Sequence, residues 1–151
     1  MKLIVFSDSH KSTETMIRAV ELEAPDAIIH LGDHFSDAGA LKIRFPDIPL
    51  YAVRGNCDFA PSAPGELTLT LSDVKLFMTH GHMYGVKGSL DRLITKALYL
   101  EADVVLYGHT HIRRCDDFRG VRFINPGSIG SSGAPYGILT QSNGTAAYEQ
   151  K

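Results

Sequence analysis

Cysteine is scarce in this sequence: Cys57 and Cys115 are the only two among 151 residues. Two isolated cysteines give no disulfide framework, and we do not expect them to pair. Long apolar runs are missing as well. None approaches the roughly 20 residues that a membrane-spanning helix needs. The run Met1 to Phe6 is too short for a signal-peptide core and passes straight into Ser7-Asp8 without a small-residue cleavage pattern. We therefore expect a cytoplasmic protein. Neither sign of charge is in excess: 15 Lys and Arg stand against 17 Asp and Glu, for a formal net charge of -2. That balance speaks against an extensive nucleic-acid surface, and no same-sign run marks a tail. There is no internal repeat and no low-complexity segment. What is present is an ordinary globular composition, 44% hydrophobic and 21% charged, in a length that suits one domain over residues 1–151.

Strands and helices alternate along the chain. Lys2 to Phe6 and Ala27 to Leu31 read as buried strands, and Leu50 to Val53 as a third. Met16, Ile17, Val20 and Leu22 give near-helical spacing over Thr13 to Glu23, closed by Pro25. A short helix is expected around Asp37 to Arg44. Glu66 to Leu71 alternates with period two, Ser72-Asp73 is a turn, and Val74 to Thr79 returns beside it. Leu90, Leu93, Ile94, Ala97 and Leu98 form one stripe of a helix over Ser89 to Glu101. Asp103 to Tyr107 is another buried strand. From Cys115 onward we expect antiparallel strands, turning at Gly120 and Asn143-Gly144. The sum is an α/β chain in which two sheets pack face to face with helices outside.

Each of five expected strands ends in residues able to bind a metal: Asp8-Ser9-His10, Gly32-Asp33-His34, Gly55-Asn56-Cys57-Asp58, His80-Gly81-His82 and Gly108-His109-Thr110-His111. Ligands of open α/β sheets bind beyond the carboxyl ends of the strands, so these clusters are expected to meet in one crevice. Four histidines and two aspartates gathered without a cation would place costly polar groups together unpartnered. The glycines suit loops where backbone passes close to a ligand. His30, inside an apolar run, reads as a hydrogen-bonded core histidine. Ser7, Ser9 and Ser128 read as turn and hydrogen-bonding residues, His34 as a residue of the crevice rim, and Arg113 and Arg114 as a solvated strand face.

The order Asp8-x-His10, Gly32-Asp33, Gly55-Asn56, His80-Gly81-His82, Gly108-His109-Thr110-His111 resembles the calcineurin-like metallophosphoesterase superfamily. The short length, the Gly-Asn-Cys-Asp form and Asn125-Pro126-Gly127-Ser128 resemble its compact bacterial and archaeal phosphodiesterase branch. The resemblance implies a four-layer α/β/β/α sandwich of two mixed sheets flanked by helices. It implies that Asp8, His10 and His111 bind a first divalent metal and that Asn56, His80 and His109 bind a second, with Asp33 bridging. His82 is then near the metals or facing substrate.

Mixed oxygen and nitrogen ligands suit manganese first, with nickel, iron, cobalt, zinc or magnesium as alternatives. Two such ions activate a water and clamp the attacking and leaving oxygens of a phosphate ester, with no protein nucleophile required. The expected reaction is phosphodiester hydrolysis of a small substrate by a hydroxide bridging two divalent ions. Phosphomonoesterase activity, or a non-enzymatic interaction scaffold on the same fold, is the alternative. Homo-oligomerisation is left open. Many members of that superfamily carry, where this chain has Cys57, a histidine that resembles a general acid. We therefore expect reliance on good leaving groups, on water or on His82 for protonation, with Cys57 and Asn56 the other candidate catalytic residues. Specificity is expected in the rim loops Phe59 to Gly65 and Met83 to Gly88.

Overall fold

The computed structural model describes residues 1–59 and 62–151; Ala60 and Pro61, inside the first rim loop, lie outside the described residues. The order of elements is β1 (Lys2–Phe6), α1 (Thr13–Glu23), β2 (Ala27–His30), α2 (Phe35–Arg44), β3 (Leu50–Ala52), β4 (Glu66–Leu71), β5 (Val74–Thr79), a 3-10 turn (His82–Tyr84), α3 (Asp91–Tyr99), β6 (Val104–Leu106), β7 (Arg114–Phe118), β8 (Val121–Asn125), β9 (Gly137–Ser142) and β10 (Thr145–Gln150). They form two five-stranded sheets, ordered β10-β9-β1-β2-β3 and β4-β5-β6-β8-β7.

Alternation along the strands dictates the layers. In β1, Leu3 and Val5 face one way and Ile4 and Phe6 the other. Leu3, Val5 and Ile29 of the first sheet meet Leu76, Met78, Leu106 and Ile124 of the second in a shared core. Ile4, Phe6 and Ile28 pack outward on Met16, Ala19 and Val20 of α1 and Leu41 of α2. Phe77, Val105 and Phe123 pack outward on Leu93 and Ala97 of α3. The result is the expected α/β/β/α sandwich of mixed sheets.

The centre of each sheet is parallel. β1 pairs with β2 and β2 with β3 in one sheet, and β5 with β6 and β6 with β8 in the other. Three of the four sheet edges are antiparallel hairpins, β9-β10 in the first sheet and β4-β5 and β7-β8 in the second; the remaining edge, β3, is parallel. Ser72-Asp73, Arg119-Gly120 and Asn143-Gly144 have positive φ at both central positions, the type I′ geometry that matches strand twist. One expectation changes here. β8 was read as part of an antiparallel set, yet it pairs antiparallel only with β7 and lies parallel to β6. Phe123 and Ile124 cover opposite faces, so β8 is an interior strand and takes its direction from its neighbours. The third helix is shorter than expected, because Ser89 Oγ accepts the Asp91 N–H (3.0 Å) and Glu101 leaves at φ 53°. No helix among the described residues is long and apolar enough to cross a membrane.

Leu41 and Ile43 sit on the same helix, one fully buried and one 84% exposed. Leu41→Ala is expected to cost about 2–5 kcal/mol in urea unfolding and Ile43→Ala less than about 0.5 kcal/mol.

Candidate metal centre

Because the parallel strands of both sheets run the same way into this end of the sandwich, their loops meet. Asp8 N–H donates to Gly32 O (3.0 Å), Gly108 N–H to His80 O (3.0 Å), and Ile129 N–H to Ser7 O (3.1 Å). The loops leave the strands in an unusual conformation. Asp8, His10, Asp33, His34, His109 and His111 all have positive φ, between 43° and 70°. Non-glycine residues adopt this region at a cost of about 1–2 kcal/mol each, and Asp and His are among the types that tolerate it. The turn aims successive side chains at one crevice. Two glycines admit the close approach this requires. A Cβ at Gly55 would overlap Asp33 Oδ1, and one at Gly108 would overlap Ser7 Oγ and lie 2.9 Å from Asp8 Oδ2.

All the ligand candidates expected from the sequence are brought together. Asp8, His10, Asp33 and His111 each offer an atom within 4.8 Å of the others. His80 Nε2 lies 3.2 Å from Asn56 Oδ1, 3.5 Å from Asp33 Oδ1 and 3.8 Å from Asp8 Oδ1. The His109 ring stands 5.0 Å from that of His80, and the His82 ring 5.5 Å. His34 packs edge-on to His10 at the rim. Arg114 pairs with Asp116 on an exposed strand face.

The polar atoms are arranged for a cation. His80 Nδ1 is 2.8 Å from the Leu31 carbonyl oxygen, which only accepts. Nδ1 is therefore a protonated nitrogen, and Nε2 is aimed at three oxygens, placed to offer its lone pair to a cation. Asp8 Oδ2 receives the Ser7 hydroxyl (2.6 Å) and the His109 N–H (3.1 Å). Its other oxygen, Oδ1, is buried without a hydrogen bond, 3.1 Å from His111 Nε2. Lone pairs gathered around a buried, unsatisfied carboxylate oxygen repel one another until a cation lies among them, so these residues fit a divalent metal.

Burial opposes ionisation of Asp33, but the hydrogen bond from the Cys57 N–H (2.9 Å) helps hold the carboxyl below its ordinary value. Burial pushes His82 and His109 down, which favours neutral rings able to donate a lone pair. Burial and Asp33 push the Cys57 thiol up, so it keeps its proton.

Three groups play supporting roles that the sequence reading did not give them. Asp58 accepts the N–H groups of Asp33 (3.0 Å), Phe35 (2.7 Å) and Gly55 (2.7 Å), tying the β2 and β3 loops together. Asn125 donates to Gly108 O (2.9 Å) behind the β6 loop. Asp37, in the first turn of α2, accepts from Ser9 Oγ (2.7 Å) and the Lys11 N–H (2.9 Å). An acidic residue there signals only a helix start in the sequence. His30 is the core histidine expected, but it also belongs to this network. Its Nδ1 accepts the Gly32 N–H (3.2 Å), which puts the proton on Nε2, facing Ser9 Oγ at 3.0 Å.

Residues 1–144 match the profile of the calcineurin-like phosphoesterase superfamily domain. The chain is 39% identical over 154 residues to the probable metallophosphoesterase YsnB of Bacillus subtilis, covering 97% of this chain and 88% of that protein. It is 31% identical over 168 residues to the phosphodiesterase YfcE of Escherichia coli, covering 92% and 87%. Among solved structures, wild-type Vps29 of Entamoeba histolytica with zinc superposes with a TM-score of 0.79 at 18% identity, over 100% of this chain and 98% of that one, a likeness of fold.

Burial lowers His30 from the ordinary 6.5 to about 4. Between these values the unfolded chain binds a proton that the folded chain does not, so stability falls as pH drops from 6.5 toward 4. This group alone should remove about 2 kcal/mol between pH 8 and pH 5. Urea unfolding at both pH values should show His30→Gln losing less stability on acidification than the parent by that amount.

Proposed function

Because the chain belongs to the calcineurin-like phosphoesterase superfamily, we propose that it is a metal-dependent phosphodiesterase acting on a small phosphate ester in the cytoplasm, as one domain over residues 1–151. The observation that carries this reading is the convergence of lone pairs on the Asp8, Asp33 and His80 atoms, a donor set kept whole in this chain. Asp8, His10 and His111 would hold one divalent ion and Asn56, His80 and His109 a second, with Asp33 serving both and manganese our first choice. When bound, two such ions supply an activated water and positive charge for the phosphate oxygens.

The protein's own groups do the positioning. Ser7 and the His109 N–H turn Asp8 so that Oδ1 faces the crevice. The Leu31 carbonyl fixes the His80 tautomer. Asp58 sets the Asp33 loop against the Asn56 loop. Protonation of the leaving group is the weak part of this machinery. His82 is held neutral, and Cys57 keeps a thiol proton that it gives up reluctantly. We assign turnover chiefly to esters whose leaving groups need little protonation, with Cys57 or water supplying the proton otherwise.

Metal-stripped protein is expected to be inactive on aryl phosphodiesters and to regain activity with Mn2+. His10→Ala and Asp33→Ala should each lower metal-dependent turnover by about 100-fold or more. Faster turnover of the matched monoester would replace the diesterase reading with a phosphomonoesterase. No turnover with any of Mn2+, Ni2+, Zn2+ or Mg2+ would favour a scaffold. Cys57→His should flatten the dependence of kcat/KM on leaving-group pKa across a series of aryl diesters. Equal slopes in the two proteins would remove the proton-donor assignment.

A further inference from the structure

Behind the His109–His111 loop, on the outer face of the second sheet, lies a cavity of about 250 Å³ lined by Val86, Lys87, Tyr107, Thr110, Ile112 and Arg114. Its polar lining is weighted toward donors. Lys87 is exposed and has no acidic partner among the described residues. Arg114 spends only Nε on Asp116, leaving its terminal nitrogens uncommitted. Thr110 Oγ1 accepts from Asn125 Nδ2 (3.1 Å) and from the Ile112 N–H (3.2 Å), so its hydroxyl proton remains to be donated. No carboxylate is among the lining residues. Val86 and Tyr107 make an apolar wall, and Ile112, 67% exposed, is an apolar lip. Donors over an apolar wall suit an organic anion, with the guanidinium and ammonium on its charge and the carbon body on Val86, Tyr107 and Ile112.

The cavity adjoins the metal centre. Thr110 stands between His109 and His111, and Val86 packs against Gly81, next to His80. A phosphate at the His109 end of the crevice therefore has this cavity as its neighbour.

We propose that the cavity is a subsite for the ester's leaving group, and that it selects leaving groups with a flat apolar body carrying their own negative charge. This rests on the phosphodiesterase reading and names the substrate class for it.

Two methyl aryl phosphates with leaving phenols of matched pKa, one neutral and one bearing a carboxylate, separate the possibilities. The Mn-loaded protein is expected to favour the carboxylate ester by about tenfold in kcat/KM, with the preference falling as salt rises. Lys87→Ala and Arg114→Ala should each bring the ratio toward one, and Lys87→Arg should keep it. Turnover of both esters at similar rates, or a preference that survives Lys87→Ala, overturns the subsite while leaving the phosphodiesterase reading standing. No turnover of either ester, with or without substitution, overturns the phosphodiesterase reading and the subsite with it.

Discussion

Everything at this end of the molecule depends on one repulsion. A buried carboxylate oxygen of Asp8, the bare Nε2 of His80, and the side-chain oxygens of Asn56 and Asp33 face one another with no proton to share. In an apolar interior such a group is destabilising until a positive charge lies among its members. The surrounding hydrogen bonds do not relieve it; they maintain it. Ser7 and the His109 N–H occupy the far oxygen of Asp8, and the Leu31 carbonyl takes the Nδ1 proton of His80. The chain is built to keep these lone pairs available.

The loops that achieve this run against local preference. Asp8, His10, Asp33, His109 and His111 all sit in the left-handed region, and backbone passes so close at Gly55 and Gly108 that a methyl group would not fit. Strain of this kind persists only where surrounding structure over-determines it. Asp58 with three backbone N–H groups, and the Gly32–His30–Ser9–Asp37 chain of hydrogen bonds, are that surrounding structure.

Much of the architecture is legible in the residues themselves. β1, α1, β4 and β5 begin and end where apolar period, turn residues and Pro25 say they should. The metal-capable residues were visible because each closes an apolar run, and the structure draws them into one crevice. Other features lie beyond a single sequence. The direction of β8 was hidden because a strand apolar on both faces looks the same whichever way its neighbours run. The work of Asp58 and Asp37 was hidden because a carboxylate that accepts backbone N–H groups from distant loops looks, in one dimension, like any surface acid. Thr110 looked like a spacer between two histidines, although it also lines the cavity behind them.

The shared core between the sheets has a mechanical consequence. Asp8, His10, Asp33 and Asn56 ride on loops of the first sheet, and His80, His109 and His111 on loops of the second. The two groups are opposing jaws, and the gap between them is set by Leu3, Val5, Ile29, Leu76, Met78 and Leu106, which fill the space where the sheets meet. Facing sheets stand about 10 Å apart, with little void to absorb a change in side-chain volume. These aliphatic side chains therefore act as a spacer gauge for the centre. A methylene gained or lost among them would alter the opening of the jaws, so the geometry offered to a cation is set partly by residues outside the crevice.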